Sequence, residues 1–306
     1  MIEMRGVTRR FGSVTALRDV TFAVRPGEIV ALLGPNGAGK TTASRIIGGI
    51  LGPSEGEAIV AGISVRDDPN AVRERCGLVT DQPSLYERMT LRAYLAFFAR
   101  LFDVTGAKER ITALARLLLL EDVLDRKLGA FSRGMKQKAA IARALIHDPR
   151  VLLLDEPATA LDPEMARTLR DLIVSLRADD RAILLCTHDL DEAQRIADRV
   201  VILQLGAIVR TGTPDELRSI GRPRLRLEAE GDLDAALAAF ARAGVAPTHE
   251  TAGRRLVFRF EADEPRSTTP ALLRALLDAD VVVLALVPEQ LSLEDAYVTI
   301  VREARA

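Results

Sequence analysis

A chain of 306 residues, 48% apolar and 28% charged, has material for one large domain plus a smaller one, and its composition excludes disorder as the overall state. The formal net charge of -1 argues against a general polyanion binder, so no nucleic-acid partner is expected. Two cysteines, Cys76 and Cys186, stand far apart among apolar neighbours and read as buried thiols of a reducing compartment.

The opening residues, Met1 to Arg5, lack the apolar core of a secretory signal. Ile2 to Val24 alternates as strands do, with a hairpin turn at Phe11-Gly12-Ser13. Pro26-Gly27-Glu28 turns the chain into a short apolar strand, Ile29 to Leu33. Next comes Gly34-Pro35-Asn36-Gly37-Ala38-Gly39-Lys40-Thr41-Thr42, which fits G-x-x-x-x-G-K-[ST] between a strand and a helix. Glycines at 34, 37 and 39 let backbone N–H groups turn inward as an anion nest, and the helix N-terminus adds its positive end. Lys40 is placed to reach β- and γ-phosphates, and the Thr41 hydroxyl to help hold Mg²⁺. The alternative, a glycine turn that binds nothing, does not account for the lysine, the hydroxyl and the strand together.

Gly52 to Gly56 breaks the chain, Ala58 to Ala61 reads as a strand, Asn70 to Arg75 as a short helix, and Gly77 to Thr80 as a strand ending at Asp81-Gln82. Between about Thr90 and His147 strand signals vanish. Leu91, Tyr94, Leu95, Phe98, Leu101 and Phe102 fall at helical spacing, as do Ile111, Leu114, Leu117 and Leu118, which predicts a helical insertion with these stripes in its core. Val151 to Leu154 and Ala182 to Cys186 are unbroken apolar runs, suited to strands covered on both faces of a parallel sheet. Pro163 to Leu176 is the crossover helix between them. Asp155-Glu156-Pro157 follows the first of these strands, where open α/β sheets bind ligands. Asp155 suits a Mg²⁺ shell, and Glu156 is placed to orient and deprotonate a water. Val200 to Leu203 and Ala207 to Val209 close the domain.

Past Gly221-Arg222-Pro223 the pattern restarts as a small α+β module without a chemical constellation. Arg224 to Glu228, Arg255 to Phe260 and Val281 to Val287 read as strands; Leu233 to Ala243, Pro270 to Leu277 and Leu293 to Arg302 read as helices. Arg222, Arg224 and Arg226 form one wet strand face, and His249 is isolated and solvent-facing. No stretch reaches the roughly 18 apolar residues of a membrane span, so a membrane role requires a second polypeptide.

Phe131-Ser132-Arg133-Gly134-Met135-Lys136-Gln137 resembles the signature motif of ATP-binding cassette (ABC) proteins, and it precedes Asp155-Glu156 as in that family. The remaining motifs follow in order: Gln82 resembles the Q-loop glutamine, Ala160-Leu161-Asp162 the D-loop, and Thr187-His188-Asp189 the switch-histidine segment. Phe11 sits where an aromatic residue stacks on adenine. The resemblance covers about residues 1–220 and implies a P-loop ABC-type ATPase core, with a mixed sheet and a helical subdomain at about 88–148. Domains are expected at 1–221 and 222–306, the second a small α+β accessory unit. It further implies two ATP molecules with Mg²⁺, sandwiched in a head-to-tail dimer where Ser132 and Gly134 of one copy face the other's nucleotide. Gln82 joins Thr41 and Asp155 around the metal, and His188 contacts the γ-phosphate. A separate transmembrane permease subunit is the implied partner, which places the chain on the cytoplasmic face of the cell membrane.

Two departures stand out. Arg133 replaces the first of two family glycines, where its side chain either crowds the γ-phosphate or assists with its charge. Ala160 stands where glycine or serine is usual. Met135-Lys136-Gln137 and the tail Leu291-Ser292-Leu293-Glu294-Asp295-Ala296-Tyr297 resemble ATPases of ABC-2-type exporters. The implied membrane docking face is Pro83 to Phe102. The rival readings are a soluble ABC ATPase acting on nucleic acid or ribosomes, another P-loop kinase or GTPase, and a weakly hydrolysing binding subunit. The first usually fuses two cassettes or inserts a coiled coil; for the second, the signature and His188 argue against a kinase and the sequence has no Asn-Lys-x-Asp guanine-reading motif; Arg133 keeps the third open.

Overall fold

The computed structural model describes residues 1–304 except 83, 160, 178–179, 221–223, 254, 263–264 and 290–291. The expectations that fall on Pro83, Ala160, Gly221-Arg222-Pro223 and Leu291 therefore lie outside the described residues. The chain divides into two compact units, Met1–Pro214 and Asp215–Ala306.

The first unit begins with the hairpin β1 (Ile2–Phe11) and β2 (Val14–Val24), then β3 (Ile29–Leu33) and α1 (Lys40–Ile47). It continues with β4 (Glu55–Val60), β5 (Ile63–Ser64), α2 (Pro69–Arg75) and β6 (Cys76–Val79). The helical insertion follows as α3 (Leu91–Leu101), α4 (Ala107–Leu117) and α5 (Arg133–Leu145), then β7 (Val151–Asp155), α6 (Pro163–Leu176) and β8 (Ala182–Thr187). Last come α7 (Leu190–Ile196), β9 (Arg199–Gln204) and β10 (Ala207–Gly212), and the boundary with the second unit falls at the start of α8 (Pro214–Arg218). One sheet is antiparallel, in the order β2-β1-β4-β5. The central sheet runs β10-β9-β3-β8-β7-β6, and only its β9–β10 edge is antiparallel. The mixed sheet is therefore as expected.

Alternation explains why the central strands are apolar throughout. Leu152 and Leu154 of β7 face a core shared with α3–α6, while Val151 and Leu153 face one shared with α1 and the antiparallel sheet. Helices α3 and α4 each put a narrow stripe into the first of these cores, Leu91, Tyr94 and Leu95 from α3 and Ile111 and Leu114 from α4, whereas Leu101 and Leu117, expected in those stripes, are exposed at the helix ends. Thr90 caps α3 by accepting the Ala93 N–H at 3.2 Å. Among the described residues no helix is long and apolar enough to cross a membrane.

The second unit is β11 (Arg224–Glu230), α9 (Leu233–Arg242), β12 (Thr248–Ala252), β13 (Arg255–Glu261), α10 (Pro265–Leu277), β14 (Val282–Glu289) and α11 (Leu293–Glu303). Its sheet order, β12-β13-β11-β14, all antiparallel, is the split β-α-β arrangement. Two boundaries differ from the sequence reading. The strand β12, which carries exposed His249, has no apolar alternation and is held by backbone pairing to β13. Helix α10 begins five residues before Pro270, which sits inside it. Phe240, Phe258 and Phe260 pack together in a core separate from those of the first unit. Phe240→Ala should therefore destabilise the second unit by about 3–5 kcal/mol. Hydrogen exchange should show lost protection in β11 and β13 with β3 and β7 unchanged; a parallel loss in β3 would contradict separate cores.

Candidate nucleotide site

The phosphate loop leaves the buried end of β3 and enters α1 without a side-chain cap or an acidic first turn, so the helix's first N–H groups are left for an anion. Gly39 is left-handed at φ 110, and a β-carbon there would stand 2.6 Å from the Ala16 carbonyl of the hairpin. Any side chain is excluded twice, by conformation and by space. Lys40 is buried, and its Nζ donates to the carbonyls of Gly34 at 2.7 Å and Pro35 at 3.3 Å. Asn36, Gly37, Thr41 and Thr42 line the same cavity of about 340 Å³, closed on its far side by Asp155 and Glu156.

Asp155 ends β7 with a 4% exposed side chain. Burial pushes its carboxyl above the ordinary carboxylate range, and a hydrogen bond from the Thr41 hydroxyl opposes that rise. Glu156 follows at φ 50, a left-handed backbone that a non-glycine residue rarely adopts, with its N–H donated to the Cys186 carbonyl at 2.8 Å. That turn presents the carboxylate to four partners. Oε1 lies 2.8 Å from His188 Nδ1 and 3.6 Å from Lys40 Nζ. Oε2 accepts from Thr159 Oγ1 at 3.3 Å and Thr187 Oγ1 at 3.4 Å. A carboxylate only accepts, so the His188 Nδ1 carries the proton of this hydrogen bond.

Other sequence-predicted residues stand apart from this cluster. Gln82 is exposed, with its N–H on Asp81 Oδ1 at 2.8 Å, and it is Asp81 that lines the cavity. Phe11 is 45% exposed at the end of β1, with the Arg9 guanidinium 4.7 Å from its ring centre. Ser132 caps α5, accepting the Met135 N–H at 3.3 Å, so that helix starts at Arg133. Asp162 caps α6 in the same way, accepting the Met165 N–H at 2.9 Å. Gly134 is buried against Met165, whose Cγ would stand 3.2 Å from an added β-carbon. Ser132, Gly134 and Asp162 thus share one neighbourhood, and within one chain they do not line the phosphate-loop cavity.

Sequence reasoning missed Asp81, the Thr187 and Thr159 hydroxyls, and Glu192. The last is 1% exposed on α7 and hydrogen-bonded to Thr187. Its only sequence signal is the spacing Asp189-x-x-Glu192, which reads as ordinary helix capping, and Asp189 does accept the Glu192 N–H at 3.0 Å.

A parallel sheet whose strand ends bring a buried lysine, a phosphate loop and two carboxyl groups together defines a nucleotide-hydrolysing cassette. The ABC transporter family profile matches residues 17–159. The chain is 39% identical over 224 residues to the ABC transporter ATP-binding protein NatA of Bacillus subtilis, covering 71% of this chain and 91% of that protein. It is 36% identical to the Nod factor export ATP-binding protein I of Burkholderia orbicola, covering 71% and 72%. A solved dimeric ATP-binding cassette in a post-hydrolysis state, bound to ADP and Pi, superposes with a TM-score of 0.63 at 28% identity, covering 70% of this chain and 98% of that one. The chain belongs to the ABC transporter family and is an ATP-binding, ATP-hydrolysing subunit.

Burial holds the Glu192 carboxyl up at about 7 against its ordinary 4.5. At pH below 4.5 the folded and unfolded chains both keep that proton, and the residue costs nothing. Between 4.5 and 7 the unfolded chain releases it first, so stability falls across that window, by about 3 kcal/mol in total. Glu192→Gln should therefore melt a few degrees above wild type at pH 8 and not at pH 4.5. Calorimetry at the two pH values checks this; equal differences at both would contradict it.

Gly39→Ala should weaken ATP binding at least about 10-fold by displacing the loop from Ala16. Isothermal titration measures it, and an unchanged Kd would contradict the steric account.

Proposed function

We propose that this chain is the ATPase subunit of an ABC exporter, working as two copies of itself against a separate membrane-spanning permease on the cytoplasmic face. Support for the dimer comes from the dimeric solved cassette, and support for export from the name of the Nod factor relative. The observation that carries the reading is the Glu156 carboxylate, fixed at both oxygens at the end of β7 and 3.6 Å from Lys40.

In this reading Lys40 and the first N–H groups of α1 hold the β- and γ-phosphates. Glu156 orients a water and takes its proton, with His188 as its partner and the γ-phosphate contact. A divalent cation fits beside Thr41 and Asp155. Both offer hard oxygens, they are hydrogen-bonded to each other, and the buried carboxyl has no cationic partner at ion-pair distance among the described residues. Gln82 on its exposed loop is the third ligand we assign. Bound Mg²⁺ neutralises charge on the phosphate oxygens. Ser132 and Gly134 of the second copy close the site at the N-terminus of α5, with Asp162 at the interface. Phe11 supplies the adenine face, which requires the Arg9 guanidinium to be displaced or shared.

The permease docks on the helical subdomain beside Gln82. Tyr86 and Phe97 are 53% and 40% exposed there, edge to face with each other at 6.0 Å, over a floor of Tyr94 and Phe98. Residues 1–221 form the ATPase domain and 222–306 an accessory domain in this assignment.

Glu156→Gln keeps the shape and removes the base. It should cut ATP hydrolysis at least about 100-fold and, with Mg·ATP, shift the chain from monomer to dimer on size-exclusion chromatography. A variant that still hydrolyses ATP, or that stays monomeric with saturating Mg·ATP, would overturn the proposed roles.

A further inference from the structure

The Thr187 hydroxyl stands between two carboxyl groups. Its oxygen is 3.4 Å from Glu156 Oε2, accepts the Asp189 N–H at 3.0 Å, and is hydrogen-bonded to the side chain of Glu192. Glu192 is 1% exposed, and its Oε1 is buried with no hydrogen-bond partner among the described residues. The charged groups that face it are Asp189 from the cap of α7, Glu156 from the end of β7, and Arg170 from α6.

A hydroxyl has one proton to give and two lone pairs to fill. With Glu192 ionised, both carboxylates compete for that single proton. Whichever loses is left facing a bare oxygen lone pair, and Glu192 Oε1 becomes a charged atom in a dry interior, the costliest of the alternatives. With a proton on Glu192 every demand closes. The Glu192 O–H donates to Thr187, the Asp189 N–H fills the second lone pair, and the Thr187 proton points to Glu156 Oε2. Glu192 Oε1 is then a neutral carbonyl-type oxygen, whose burial costs far less.

We propose that Glu192 is a positioning residue: in its neutral form it sets the Thr187 hydroxyl as a donor and so fixes Glu156 Oε2 for the attack of water. This rests on the reading of Glu156 as the base. The device is directional. Loss of the Glu192 proton turns the Thr187 hydroxyl away from Glu156 and leaves Oε2 with Thr159 alone, so the oxygen that faces the water is held by one donor in place of two while Oε1 stays with His188. Burial raises the Glu192 carboxyl to about 7, so its neutral form is populated near neutral pH and lost above it. No contact between Glu192 and nucleotide is involved, so the effect belongs to the chemical step and not to ATP binding.

The test compares steady-state kcat and KM for ATP of the whole chain with Mg·ATP from pH 6.5 to 8.5, for wild type, Glu192→Gln and Glu192→Leu. Wild-type kcat should fall about 5- to 10-fold across the range as the acid ionises. The glutamine variant, whose amide donates at every pH, should fall less than about 2-fold. The leucine variant should lose about 10-fold in kcat already at pH 6.5, with KM changed by less than about 2-fold. A glutamine variant that tracks wild type over the whole range overturns the proposal, as does a folded leucine variant with wild-type kcat. If the leucine variant does not fold, the glutamine profile decides. Glu156→Gln, run in parallel, separates the two levels. Persistent hydrolysis there overturns the role of Glu156 itself, whereas lost hydrolysis together with a wild-type-like Glu192→Gln profile overturns only the role of Glu192.

Discussion

The site depends on the register of three parallel strands. Leu33 at the end of β3 lies opposite Thr187 at the end of β8, and Asp155 at the end of β7 lies opposite Cys186. The phosphate loop, Glu156 and His188 each begin within a residue of those ends, so lateral pairing alone brings them within hydrogen-bonding distance. A slip of one residue would reverse every side chain on the strand between the two cores. Both cores therefore guard the register: the faces of β3, β7 and β8 are all buried, and each face has its own apolar set. Hydrophobic packing spread over the whole unit thereby sets the placement of a few polar groups.

Those groups are costly one by one. Glu156 is held in a left-handed backbone, Asp155 and Glu192 are acids out of water, and Lys40 is an ammonium group that is 6% exposed. Each cost is offset by a neighbour of the cluster and not by solvent. Lys40 answers Glu156 and the loop carbonyls, Thr41 answers Asp155, and Thr187 answers both glutamates. The cluster is therefore cooperative, because removing one member exposes the cost of another.

What could be read from the sequence follows from which interactions are local. The phosphate loop, the Asp155-Glu156 pair and the caps Ser132 and Asp162 are fixed by residues within a few positions of one another, so order and spacing carry them. The crossover helix Pro163–Leu176 was legible end to end because its cap and its apolar stripe agree. Glu192 was not. Its burial arises because α7 lies against β3 and β8, an interaction that no local pattern encodes, and at the level of sequence it looks like any acid in a first helical turn. Asp81 was passed over for its neighbour Gln82, since nothing in a loop sequence tells which of two adjacent polar side chains turns inward. Strand β12 escaped for the opposite reason: all five of its residues are exposed, and only the ladder to β13 makes it a strand. Pro270 suggested a helix start because proline favours the first turn, whereas here the helix runs through it.

The departure at Arg133 also has a physical explanation. Two adjacent positions follow the signature serine, and only the second is sterically committed: a β-carbon on Gly134 would press on Met165 of α6, whereas Arg133 is exposed. A side chain at the first position therefore leaves the packing of α5 on α6 intact. That packing has a further consequence. Ser132 and Asp162 cap the two helices that meet at Gly134 and Met165, and the segment leading into α6 comes directly from Glu156 by way of Thr159. The helix end that carries Ser132 thus packs through Gly134 on Met165 of α6, the helix that follows the Glu156 turn in the chain.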